Sequence, residues 1–127
     1  MARKFVTLDM SERSYVPKDW AEDEVKLTFK FKPLSKRQLA QFRDNSSRMS
    51  LNSNTILLGV ASINIDIFRS QVCGWENLEI DDKKVPFKAV SGLVEEAVVN
   101  ALPLDIIEEV ALHIIEVSSV NTEDMGK

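Results

Sequence analysis

Val25-Lys26-Leu27-Thr28-Phe29-Lys30-Phe31-Lys32-Pro33-Leu34-Ser35-Lys36-Arg37-Gln38 carries the change of period on which the fold turns. Up to Lys32 the apolar residues Val25, Leu27, Phe29 and Phe31 point one way and Lys26, Thr28, Lys30 and Lys32 the other. That is a strand with one face for a core and one for water. Pro33 interrupts the alternation. Ser35 then offers a helix N-cap, Gln38 stands three residues later as its capping-box partner, and Leu34 and Leu39 occupy the staple positions. A strand that runs into a capped helix predicts an α+β chain.

Toward the N-terminus, Phe5, Thr7 and Asp9 alternate with Val6 and Leu8, which predicts a short strand. Residues 11–23 read as a polar loop carrying Tyr15, Pro17 and Trp20, so the two strands are expected to pair antiparallel across it. Toward the C-terminus, the helix from Ser35 carries Leu39, Phe42 and Met49 on its apolar stripe. Lys36, Arg37, Arg43 and Arg48 lie on its solvent side. Asp44-Asn45-Ser46-Ser47 are poor helix formers and predict its end or fraying. Ser50 to Asn54 read as a turn. A central helix follows over about 54–71, where Ile56, Val60, Ile63 and Ile67 form one row and Leu57, Ala61, Asn64 and Phe68 a second. The β-branched residues leave a parallel strand open for Thr55 to Val60. Gly74 is expected to end this helix as a C-terminal glycine.

Beyond it, Val72-Cys73-Gly74-Trp75-Glu76-Asn77-Leu78, the turn Asp81-Asp82-Lys83-Lys84 and the segment Val85-Pro86-Phe87 predict a chain reversal pinned by Trp75 and Phe87, which are expected to pack on the C-terminal helices. Two helices follow. Val90, Leu93, Val94, Ala97, Val98 and Ala101 make the apolar face of the first. Pro103 starts the second within its first turn, where a missing donor costs nothing. Asp105, Glu108 and Glu109 suit its positive end, and Ile107, Val110, Ala111, Ile114 and Val117 carry its stripe to Ser118. The expected fold is α+β, mostly α: an N-terminal antiparallel β-hairpin followed by about four helices. Residues 1–118 are expected to form a single globular domain and 119–127 a mobile C-terminal tail.

Composition narrows the function. The 127 residues, 44% hydrophobic and 28% charged, suit one soluble domain with a core of its own. The most apolar stretch, Thr55 to Phe68, is interrupted by Ser62, Asn64 and Asp66, so no membrane span is expected. No apolar leader region follows Met-Ala-Arg-Lys-Phe, and the lone Cys73 suits a reducing compartment, so a cytoplasmic location is expected. Residues 1–50 hold eleven Lys or Arg against seven Asp or Glu, and residues 51–127 hold five against thirteen. The acidic half argues against nucleic acid as a partner and for a partner-facing or solubilising surface at Glu95, Glu96, Asp105, Glu108 and Glu109.

Site chemistry is sparse. His113, one turn from Glu109 and near Glu116, reads as part of a solvated helical ion pair. Cys73 beside Gly-Trp reads as packed, and with His113 it falls short of a zinc ligand set. Asp81-Asp82 lacks the spaced oxygens of a calcium loop. Trp20, Trp75 and Phe87 read as core or loop-pinning aromatics. No cofactor, metal or enzymatic activity is expected.

The order Gly74-Trp75-Glu76-Asn77-Leu78, acidic turn, Val85-Pro86-Phe87, helix, helix, preceded by Lys32-Pro33-Leu34-Ser35 and a long helix, resembles the tail assembly chaperones of long-tailed bacteriophages over about 24–118. The chain departs from that pattern at Lys88, where a Ser or Thr cap is expected. The resemblance implies a non-enzymatic protein of the host cytoplasm that binds the tape measure protein, keeps it soluble, helps recruit tail tube subunits and is absent from the finished virion. It also implies a short form ending near Gly126-Lys127, whose codons suit a slippery run, with a frameshifted longer form that contacts the tail tube protein. A structural virion protein of the tail or head-tail junction, and a small regulatory binding module, are the alternatives.

Overall fold

The computed structural model describes residues 10–49 and 56–119. The chain is α+β, with four helices and an N-terminal antiparallel hairpin, and helix outweighs strand. Strand β1 is Arg13–Tyr15, β2 is Thr28–Phe31, helix α1 is Lys36–Met49, α2 is Ile56–Gln71 and β3 is Val72–Glu76. Two short hairpins follow, β4 (Glu79–Ile80) with β5 (Lys83–Lys84) and β6 (Ala89–Val90) with β7 (Leu93–Val94). Helices α3 (Glu96–Ala101) and α4 (Leu104–Ser118) close the described chain.

The sequence at 25–38 folds largely as its pattern dictates. Leu27, Phe29 and Phe31 are buried while Lys26 and Lys32 are exposed. Val25, the first residue of the alternation, lies ahead of the paired strand and is 66% exposed. At the helix start Ser35 and Gln38 close a reciprocal capping box. Each side-chain oxygen accepts from the other residue's backbone N–H, at 2.9 and 3.2 Å.

Strand order is β1-β2-β3, all antiparallel. The hairpin partner of β2 is Arg13–Tyr15, inside the stretch 11–23 read as loop, which also holds a 3-10 turn at Lys18–Trp20. Three residues suffice because Tyr15 stacks on His113 and its hydroxyl bonds to Glu109. The strand expected at 5–9 and the turn expected at 50–54 lie outside the described residues. Helix α1 does not end at Asp44–Ser47 but continues to Met49, so the weak propensity of these residues does not stop it. From Ile56 onward the ambiguous segment is helical.

Gly74 does not cap α2. The helix passes straight into β3, and Gly74 sits within that strand opposite Lys30. The cap comes from the sheet instead: the Lys32 N–H donates to the Gln71 carbonyl at 3.0 Å, and Gln71 Nε2 donates to the carbonyls of Lys32 and Pro33. A register shift at Lys30/Phe31 lets both Val72 and Trp75 face the core.

The first of the two predicted C-terminal helices is shorter than its apolar spacing suggests. Ala89–Val90 and Leu93–Val94 form a hairpin across Ser91-Gly92, whose φ values of 54° and 78° make a tight two-residue loop, and α3 starts only at Glu96. Ala97 and Ala101, expected on the apolar face, are exposed. Asp81 and Asp82, with φ of 54° and 63°, turn β4 into β5 in the same way. Pro103 immediately precedes α4 rather than lying in its first turn.

One core joins these pieces. Phe29 meets Phe68 edge-on at 5.6 Å, Phe31 meets His113 edge-on at 5.6 Å, and Ile107, Val110, Ala111 and Ile114 bring α4 under the sheet and against α2. Each fully buried phenylalanine contributes about 1.5–3 kcal/mol of transfer free energy. The Ser118 hydroxyl locks the far end: it accepts from the Leu34 N–H at 2.8 Å and donates to the Ile114 carbonyl at 2.6 Å.

Candidate partner-binding surfaces

Helices α1, α2 and α4 leave a shallow apolar notch of about 170 Å³ between them. Leu39 and Phe42 come from α1, Ile63, Asn64 and Ile67 from α2, and Leu112 and Ile115 from α4. The helical spacing explains the set. Leu39 and Phe42 are three residues apart on one face, as are Leu112 and Ile115 on another. Leu112 is 57% exposed although its neighbours Ala111 and Ile114 are fully buried, so it stands at the lip of the notch. The volume falls below the roughly 300–1,000 Å³ of small-molecule pockets and suits side chains projecting from another surface.

The two lips differ in charge. Arg43 borders the notch on the α1 side, with Lys36 two turns earlier on the same face and also exposed. On the α4 side Leu112 sits between Glu108 and Glu116, one turn away in each direction.

Two wider depressions lie elsewhere. One, of about 520 Å³, has an apolar floor that includes Trp20, Leu27, Leu78 and Ile106 and a polar rim of Asn77, Glu79 and Asp81. Another, of about 590 Å³, borders Lys32, Gln38, Gln71, Cys73 and Phe87. Gln38 Nε2 donates to Gln71 Oε1 there, so the amides satisfy one another.

The five acidic residues expected on a partner surface differ in exposure and in partners. Glu96 is exposed and paired with Arg69 at 3.3 Å, and Asp105 is exposed in the first turn of α4. Glu95, Glu108 and Glu109 are half-buried. Glu109 faces inward: its Oε2 accepts from the Tyr15 hydroxyl at 2.6 Å and from the Lys18 N–H at 2.8 Å, a structural tie.

His113 departs from its expected place as well. It stacks on Tyr15 at 4.2 Å and meets Phe31 edge-on, and burial pushes its pKa below the ordinary value against the opposing pull of Glu116. An aromatic slot has replaced the solvated ion pair. Cys73 is half-buried, its thiol donates to Glu12 Oε1 at 3.5 Å, and burial raises its pKa. A thiol held protonated is a poor nucleophile.

Trp75 and Phe87 pin the reversal as its spacing predicts. Their rings meet edge-on at 4.8 Å, and Trp75 Nε1 donates to the Val85 carbonyl at 2.8 Å across the exposed Pro86. Trp75 also meets Phe29 at 6.3 Å, so these ring contacts run to the sheet rather than to the C-terminal helices.

Leu112 and Asn64 line the notch, and the sequence alone does not single them out for a surface site. The signal was present at Leu112, a leucine set in the row Glu108, Leu112, Glu116. Among the described residues no group of three or more His, Cys, Asp or Glu is placed to hold a metal ion, and no helix is long and apolar enough to cross a membrane. Comparison with family models, with curated proteins and with solved structures finds no match.

Proposed function

We propose that this chain is a non-enzymatic tail assembly chaperone of a long-tailed bacteriophage. In the host cytoplasm it holds the helical tape measure protein soluble and helps bring tail tube subunits to it. The observation that carries the proposal is the open apolar notch between three helices, with Leu112 exposed at its lip. A long helical protein awaiting assembly exposes an apolar stripe that aggregates unless covered. A small acidic domain that accepts helix side chains in a shallow groove covers part of that stripe, and its net charge of −4 favours solubility of the complex.

The order of elements also supports this reading: an extended segment, a proline-flanked helix start, a long helix, the Gly-Trp and Pro-Phe segment, then two helices. Co-expression tests it. The tape measure protein encoded beside this gene should be soluble and co-purify when this chain is present, and aggregate when it is absent. Solubility without this chain overturns the proposal. Recovery of the chain from purified particles would make it a structural virion protein of the tail or head-tail junction instead.

A further inference from the structure

We infer that the notch between α1, α2 and α4 seats one amphipathic helix whose apolar stripe is flanked by acidic residues toward α1 and basic residues toward α4, and that these two lips set the direction in which the helix lies. The inference rests on the chaperone reading only in taking the natural partner to be a helical client.

Three observations converge on this occupant. The floor is apolar and too small for a cofactor-sized ligand, so it fits side chains projecting from a helix. Arg43 lines the notch on the α1 side, with Lys36 on the same face of that helix, while Glu108 stands one turn from the exposed Leu112 on the α4 side. Asn64, only 5% exposed, places an amide in the otherwise apolar floor, where a polar group favours one register over its neighbours. Reversing a helix about its apolar stripe exchanges its two flanks. A partner with unlike flanks therefore matches both lips in one direction only and meets like charge in the other.

The experiment uses the full chain and short synthetic amphipathic helices sharing one leucine stripe. One has glutamates on one flank and lysines on the other, a second has the flanks exchanged, and two more carry a single charge type on both flanks. Each has a nitroxide at its N-terminus, and binding is followed by NMR line broadening at an ionic strength of about 0.15 M, where the Debye length is about 8 Å and the overall net charge is screened. Both mixed-flank peptides should bind about tenfold tighter than the single-charge ones. They should lie in opposite directions, broadening opposite ends of α4.

Leu112→Lys should abolish binding of all four peptides. The paired change Arg43→Glu with Glu108→Lys should reverse the direction of both mixed peptides. Equal affinity of all four peptides, one common direction, or binding that survives Leu112→Lys overturns the inference. So does a self-dimer, seen by analytical ultracentrifugation, that dissociates on Leu112→Lys, since the occupant is then a second copy. If the peptides behave as expected but a tape measure protein is not held, the notch stands and the chaperone reading falls. If the tape measure protein stays bound to Leu112→Lys, the notch is wrong and the chaperone reading survives.

Discussion

The Tyr15 hydroxyl donates to Glu109 Oε2 at 2.6 Å, fastening the first described strand to the last helix across 94 positions of sequence. The same carboxylate takes the Lys18 N–H, and His113, one turn further along α4, stacks beneath the Tyr15 ring.

Glu109→Gln keeps the shape but removes the charge, and Glu109→Ala removes the acceptor of both bonds. Hydrogen bonds to charged groups are worth about 1.5–3 kcal/mol each before partial exposure weakens them, so the alanine variant should lose about 2 kcal/mol and the glutamine variant less. Urea denaturation measures both. A double-mutant cycle with Tyr15→Phe should return a coupling between the two residues, and its absence would show that the contact contributes nothing to stability.

This cluster also predicts two limits on pH stability. Burial, reinforced by Glu109, pushes the Tyr15 pKa up to about 12 from an ordinary 10.0. The folded state thus holds the phenolic proton more tightly than the unfolded chain. That contribution is complete below pH 10 and is lost as pH rises toward 12. His113 moves the other way: its folded pKa lies below 6.5, so its contribution is present above that pH and is lost as pH falls. Melting temperature should drop on both sides, and Tyr15→Phe should flatten the alkaline limb alone.

Trp75→Ala removes a ring that is 9% exposed and meets both Phe29 and Phe87. Loss of burial together with a cavity should cost about 3–4 kcal/mol. Trp75→Phe retains most of the packing but leaves the Val85 carbonyl without its indole donor, and should cost about 1 kcal/mol beyond the reduced ring area. If Trp75→Ala melted like the parent and lost only partner binding, the indole would be an exposed anchor instead of core.

Ser118→Ala should be more damaging than its size suggests. The hydroxyl is 3% exposed and is the acceptor for the Leu34 N–H, so the alanine variant leaves a buried donor unsatisfied at a cost of about 1–3 kcal/mol. Hydrogen exchange should then speed up selectively at Leu34 and at the start of α1. Unchanged exchange at Leu34 would mean that the bond adds nothing there.

Turn chemistry offers a milder test. Gly92 lies at φ 78° with open space around it, so Gly92→Ala meets no clash and should cost only about 1 kcal/mol, through backbone strain. Ser91→Asn, at φ 54°, should leave stability unchanged or raise it slightly, because asparagine tolerates the left-handed region. Thermal melts distinguish the pair.

Local signals marked what local physics controls. The alternation at Leu27, Phe29 and Phe31 and the capping box at Ser35 and Gln38 depend on residues a few positions apart, and both are visible in the bare sequence. The stripe Ile107, Val110, Ile114 was legible for the same reason. By contrast, β1 contains no strand pattern beyond three residues. It pairs because Tyr15 finds Glu109 and His113 far along the chain, and no window of sequence contains that fact. Gly74 misled because a glycine after a helix usually ends it, whereas here the Lys32 N–H caps the last carbonyl from a neighbouring strand. Ser91-Gly92 was a turn signal overridden in the reading by apolar residues that happened to fit a helical spacing. The notch was hidden because its lips come from three helices, although the leucine in the acidic row of α4 marked one of its edges.

The bond between Ser118 and the Leu34 N–H has a consequence for synthesis. The strand-to-helix junction at residue 34 is made early by the ribosome, yet its buried amide finds its acceptor only when the last turn of α4 has emerged 84 positions later. Until α4 is made, Phe31 lacks its His113 contact, so the nascent chain carries an incompletely covered phenylalanine. A stop codon anywhere before Ser118 should therefore yield a product that aggregates rather than a smaller working domain.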